Sequence, residues 1–162
     1  MPEQEVIDRA PRDKEEGKSP STQAGEFVRE EMHHIREGKH GAANTKQAIA
    51  IGLSKARRAG VELSQPSGRN TSARTRKQTQ RDGAKGRRGN RTPSKRRSRA
   101  VLRALKREPR LAASPAALSR HAKTAARRRG PGARKAAARR AVRTKGSSGL
   151  RRSARKAARS RK

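Results

Sequence analysis

Every unit of this chain's formal net charge of +33 lies in its last 100 residues. Residues 1–62 hold 11 Lys/Arg against 11 Asp/Glu, whereas residues 63–162 hold 35 against 2, the two acids being Asp82 and Glu108. A segment with so little countercharge repels itself when compact and attracts polyanions across a Debye length. Little else is available to build a core. Hydrophobic residues make up 28% of the 162, charged residues 36%, and there is one Phe with no Tyr or Trp. Burial on that scale does not offset the entropy of ordering a long backbone. The expected fold class is mainly α, a short N-terminal helical hairpin followed by a largely disordered Arg/Ala-rich tail with nascent helices.

Punctuation along the chain divides it into four parts. Residues 1–19 alternate charge and carry Pro2, Pro11 and Gly17, which suits a disordered N-terminus. In 20–62, Ser19-Pro20 offers a cap with proline at the first helical position. Val28, Met32 and Ile35 recur at helical spacing before Gly38, which predicts a helix over 20–37. Asn44 or Thr45 caps a second helix over 45–59, with Ile49, Leu53 and Ala56 on one stripe and Gly60-Val61 as its stop. Residues 63–92 are rich in Gly, Ser, Thr, Gln and Arg and read as a flexible basic linker. Residues 93–162 form the basic tail. Thr92-Pro93 opens a helical segment to 107, Ser114-Pro115 opens another to 128, and two Ala/Arg stretches, 133–143 and 150–161, flank Gly146–Gly149.

A hairpin of about 40 residues is at the lower limit for folding without a staple. Phe27, Val28, Met32, Ile35, Ile49, Ile51 and Leu53 are its apolar inventory, and Ile51 points nearly opposite Ile49 and Leu53 on a helical wheel. These residues are the candidates for self-association into a homodimer or for docking an unknown protein partner. A tolerated exposed Ile51 is the plainer alternative.

The tail repeats basic clusters around alanines, in Lys123–Arg129, Ala133–Arg140 and Arg151–Arg159. Alanine keeps a helix slim enough to approach a groove, and Arg, which outnumbers Lys 32 to 14, can grip one phosphate with two hydrogen bonds. Counterion release then supplies affinity without sequence preference. The candidate nucleic-acid-binding residues are Lys95, Arg96, Arg97, Arg99, Arg103, Lys106, Arg107, Arg110, Arg120, Lys123, Arg127, Arg128, Arg129, Arg134, Lys135, Arg139, Arg140, Arg143, Lys145, Arg151, Arg152, Arg155, Lys156 and Arg159. Helices this short and this charged are marginal alone, so helix is expected to grow on binding.

Several functions find no support in these residues. Without Cys there are no disulfides or thiolate metal sites. His33, His34 and His40 lie near Glu30, Glu31 and Glu37, and Glu31/His34 has ligand spacing, but no second cluster completes a site, so solvated ion pairs are expected and no metal or cofactor. No phosphate-binding loop or nucleophile motif occurs, which argues against an enzyme. Lacking aromatic platforms, the chain favours duplex DNA over specific single-strand reading, with RNA the alternative. A helix–turn–helix fits poorly, because the connection is long and the second helix is basic only at its end. No apolar run approaches the roughly 18–20 residues of a membrane span. The acidic start, Met1–Glu5, is unlike a signal peptide. The expected setting is cytoplasmic, at the nucleoid.

Gly25–Glu30 and, more distinctively, Thr45–Gly60 (TKQAIAIGLSKARRAG) resemble a family of small bacterial basic proteins often labelled DNA-binding or plasmid-stabilisation proteins. Lys106–Arg110 and Ser119–Lys123 look like the tail of the same relatives. The resemblance implies a bacterial, nucleoid or plasmid context. The tail is also similar in composition to linker-histone and bacterial histone-like tails, with Arg in place of Lys. These observations lead to one expectation, a sequence-tolerant, histone-like DNA-binding protein that neutralises and bridges duplex DNA. The alternatives are an RNA- or ribosome-associated protein and an adaptor tethering a partner to DNA through the hairpin.

Overall fold

The computed structural model describes residues 3–66, 71–88 and 94–159, with the Lys156 side chain left out. The Thr92-Pro93 opening and the ends of the chain lie outside the described residues. Two helices form the centre of the first unit. Helix α2 (Pro20–Arg36) starts with proline in its first turn and ends at Gly38, whose φ of 79° lets the Lys39 amide return to the His34 carbonyl. Helix α3 (Thr45–Arg58) is capped by Asn44, whose side chain accepts from the Gln47 amide at 3.0 Å. It closes at Gly60, with Val61 donating back to Ala56. The two helices cross closely at Gly52, where a Cβ would come within 2.8 Å of the Val28 Cα.

Both ends of this pair are covered by segments expected from the sequence to be unstructured. Helix α1 (Gln4–Glu15) runs through Pro11 despite the hydrogen bond that proline removes. Its Val6, Ile7 and Ala10 pack with Ala24, Phe27, Ala56 and Val61, and Arg9 pairs with Glu26 across the two helices. On the other side the chain returns after α5 (Lys95–Lys106) as a 3-10 turn, Arg110–Ala113. Ala112, Ala113 and Leu118 pack there with Met32, Ile35, Ala42 and Ala48. Backbone bonds fix the return, Gly41 donating to Leu105 and Ala42 to Pro109. A Cβ on Gly41 would lie 1.9 Å from the Glu108 carbonyl oxygen, so only glycine admits the stretch of backbone beside it.

Helix α4 (Ala73–Arg87), within the stretch expected to be a flexible linker, packs on α3. Its anchor is polar. Asp82 is buried and accepts from Ser54 Oγ at 2.8 Å and Gln78 Nε2 at 3.1 Å, with Arg58 Nε at 3.2 Å. Ser54 and Arg58 follow Ile51 at i+3 and i+7, so α4 sits on the α3 face that carries Ile51, and Ile51 is half-buried.

The chain divides into two units, 1–118 and 119–162. The second holds the rest of α6 (Pro115–Arg128), which Ser114 caps through the Ala117 amide at 3.2 Å, and α7 (Gly130–Arg159). Helix α7 is two helical pieces meeting at Gly146, whose φ of 64° and ψ of 175° are not helical. The largely disordered tail is therefore corrected to a helical one. Alanine and arginine are among the best helix formers, and exposed like-charge pairs cost only about 0.2–0.5 kcal/mol each, so propensity wins between the glycines. Among the described residues there is no strand, and no helix is long and apolar enough to cross a membrane.

Candidate nucleic-acid interface

The candidate basic residues are distributed over successive helices. Lys95, Arg96, Arg97, Arg99, Arg103 and Lys106 stand on α5, with Arg107 and Arg110 in the connection after it. Arg120, Lys123, Arg127 and Arg128 stand on α6, and Arg129 just beyond it. Arg134, Lys135, Arg139, Arg140, Arg143, Lys145, Arg151, Arg152, Arg155, Lys156 and Arg159 belong to α7. All of them whose side chains are described are exposed. Among the described residues, no ion pair involves a base beyond Arg58.

The head differs. Seven of the 11 Lys/Arg in residues 1–62 reach a carboxylate, among them Lys18 against Asp13 and Glu16 at 2.7 Å, Lys39 against Glu3 and Glu37 at 3.1 Å, and Lys55 against Glu31 at 2.7 Å. The Asp13 and Glu16 carboxylates hold the Lys18 ammonium well above the ordinary lysine range, Asp13 contributing most. Hydrogen bonds from His34 and then Lys39 pull Glu3 below its usual value.

Helix α7 shows most clearly what the tail can do. Gly132, Lys135, Ala136, Arg139, Arg140 and Arg143 line one shallow groove along its surface. The spacing is that of a single helical face, and the 12 residues from Gly132 to Arg143 span about 18 Å. Four cations along that face flank a floor of alanine and glycine. A helix this slim, about 10–12 Å across, matches the major-groove width of about 12 Å. The side chains can then reach phosphates on either wall.

No protein-family model, curated protein or solved structure matches this chain. The interface therefore rests on its own chemistry.

The residues put forward for self-association are placed differently from that expectation. Phe27 and Ile35 are fully buried, Met32 nearly so, and Val28, Ile49 and Leu53 pack against the two apolar clusters from their edges. The chain covers its own hairpin with α1, the 3-10 turn and α4, which removes the apolar surface that called for a second copy. Full burial of Phe27 and Ile35 contributes about 1.5–3 kcal/mol each. Helical spacing does not reveal the full cluster of Glu3, Glu30, Glu31, His34 and His40, which the fold gathers at the turn between α2 and α3.

Proposed function

We propose that this protein is a non-enzymatic, sequence-tolerant binder of duplex DNA, acting through the exposed bases of residues 95–159 while residues 3–62 form a charge-balanced head. The observation that carries the proposal is the contrast in pairing. Seven of the 11 Lys/Arg in residues 1–62 meet carboxylates within the chain, and the tail cations meet none among the described residues. A run of exposed Arg and Lys without carboxylate partners gains affinity by releasing counterions from phosphates, which carries no base information. Affinity distributed along several helices separated by glycines lets them follow the backbone independently, and a chain that contacts two duplex segments bridges them. A nucleoid or plasmid-maintenance role belongs to the same proposal and is in keeping with the resemblance of Thr45–Gly60.

The test is competition. Full-length protein bound to labelled duplex of arbitrary sequence is challenged with unrelated duplexes and with structured RNA of equal phosphate concentration. Equal displacement by every duplex, with RNA the weaker competitor, supports the proposal. Preferential displacement by RNA places the protein with RNA-associated basic proteins instead. Substituting Lys135, Arg139, Arg140 and Arg143 by Gln is expected to make the salt slope shallower by about 3.6, at about 0.9 for each phosphate no longer neutralised.

A further inference from the structure

We propose that Glu31, His34 and His40 form a transition-metal site of the zinc class that clamps the turn between α2 and α3. Glu31 and His34 lie one helical turn apart on α2, and the reversal at Gly38 brings His40 back over them. One ligand atom from each of the three lies within 4.8 Å of the others. The two imidazoles meet edge to face, with ring centres 6.2 Å apart.

Glu31 gives the cluster its need for a cation. Its side chain is completely buried, and neither carboxylate oxygen receives a hydrogen bond. Beside it Glu30 is also buried, with one oxygen taking the Glu3 amide and the other lacking a hydrogen bond. A single ammonium faces both carboxylates. Lys55 Nζ lies 2.7 Å from Glu31 Oε2 and 3.7 Å from Glu30 Oε2. Two buried negative charges against one positive leave a deficit that a low-dielectric interior tolerates poorly.

The remaining oxygen, Glu31 Oε1, faces His40 Nε2 at 3.4 Å. The other nitrogen of that ring, Nδ1, donates to the Gly41 carbonyl at 3.1 Å, which leaves Nε2 directed at the carboxylate. A charge-assisted hydrogen bond between the two would be shorter, about 2.7–2.9 Å. Two ligands about 2.0–2.2 Å from a tetrahedral ion stand roughly 3.3–3.6 Å apart, which is the spacing found. His34 offers the third ligand atom, within 4.8 Å of the other two. The outer partners that orient metal-binding imidazoles are also present, Gly41 carbonyl for His40 and the Glu3 carboxylate, 3.0 Å from Nε2, for His34. Two nitrogens with one carboxylate oxygen suit Zn²⁺ and Co²⁺ better than Mg²⁺ or Ca²⁺.

The experiment is titration of chelator-treated full-length protein with Zn²⁺ by calorimetry and with Co²⁺ by visible absorption. One equivalent of Zn²⁺ is expected to bind and raise the Tm, with Co²⁺ giving the intense bands of a tetrahedral site and Mg²⁺ no effect. His40→Ala and Glu31→Gln should abolish that equivalent. Glu3→Gln, on an exposed side chain that leaves the core intact, should weaken it about 10–100-fold. His33→Ala, an exposed neighbour outside the cluster, should leave it unchanged. Absence of saturable binding to wild-type protein overturns the proposal, as does binding that His33→Ala weakens while Glu3→Gln does not.

Discussion

Thr45 Oγ1 donates a 2.7 Å hydrogen bond to the backbone carbonyl of Ala112, 67 residues further along the chain. It is a buried bond, and it fastens the returning 3-10 turn to the first turn of α3. Arg36 Nε does the same from α2, donating to the Ala113 carbonyl at 2.9 Å. The turn between α5 and α6 is thus locked to the head at its last two carbonyls.

Thr45→Val keeps the side-chain shape and removes the donor, leaving the Ala112 carbonyl buried without its partner. The expected cost is about 1–3 kcal/mol. Amide exchange at Ala42, which bonds the Pro109 carbonyl, reports the docking directly and should accelerate. Gly41→Ala should act more severely, since its new methyl group meets the Glu108 backbone. Unchanged exchange at Ala42 in both variants would mean that the return does not depend on these two residues.

Asp82→Ala removes the one carboxylate that Ser54, Gln78 and Arg58 share. Arg58 is 46% exposed, so its ion pair contributes modestly, and most of the destabilisation comes from losing the hydrogen bonds of Ser54 and Gln78. A cost of about 1–3 kcal/mol is expected, confined to α4. Limited proteolysis should open cleavage within 73–87 while residues 20–58 stay protected. Simultaneous cleavage in α2 would show that α4 is needed for the whole head.

Lys18 ties the end of α1 to the chain entering α2 through Asp13, and its raised pKa gives that tie a pH window. The folded value lies above the ordinary lysine value of 10.5, so the contribution is complete below that pH and is lost as pH rises through the folded value. The Tm gap between wild type and Lys18→Gln should hold constant from neutrality to 10.5 and close above it. A gap that stays open as pH rises through the folded lysine value would assign the effect to another group.

The helices with local punctuation were legible in the sequence. The expected spans 20–37, 45–59 and 115–128 meet α2, α3 and α6 to within a residue, because Asn44, Gly38, Gly60 and Ser114-Pro115 mark their ends. What was missed is held by contacts far apart in sequence. Helix α4 has no apolar stripe to read and is held by Asp82 reaching Ser54 and Arg58, Thr79 reaching Gln65, and Gly86 lying close to the Arg57 backbone. Helix α1 contains a proline that locally argues against it, and packing on Phe27 overrides that penalty. The 3-10 return depends on Gly41 lying against Glu108. The basic residues were identified from composition alone, whereas their helical order followed from alanine propensity that like-charge repulsion was expected to defeat. His33, His34 and His40 stand near Glu30, Glu31 and Glu37 in the sequence as expected solvated pairs, but it is the turn at Gly38, and not helical spacing, that sets His40 against a buried Glu31.

The salt dependence of duplex binding by the full chain tests the central claim most directly. If ten phosphates are neutralised by the bases of α5, α6 and α7, log K falls with log salt at a slope near −9, about −0.9 for each phosphate. The slope should be the same for unrelated duplexes, and residues 1–62 should not reproduce it. A slope shallower than about −3, at about −0.9 per phosphate, would mean that at most three phosphates are engaged, and would contradict binding by the exposed basic array.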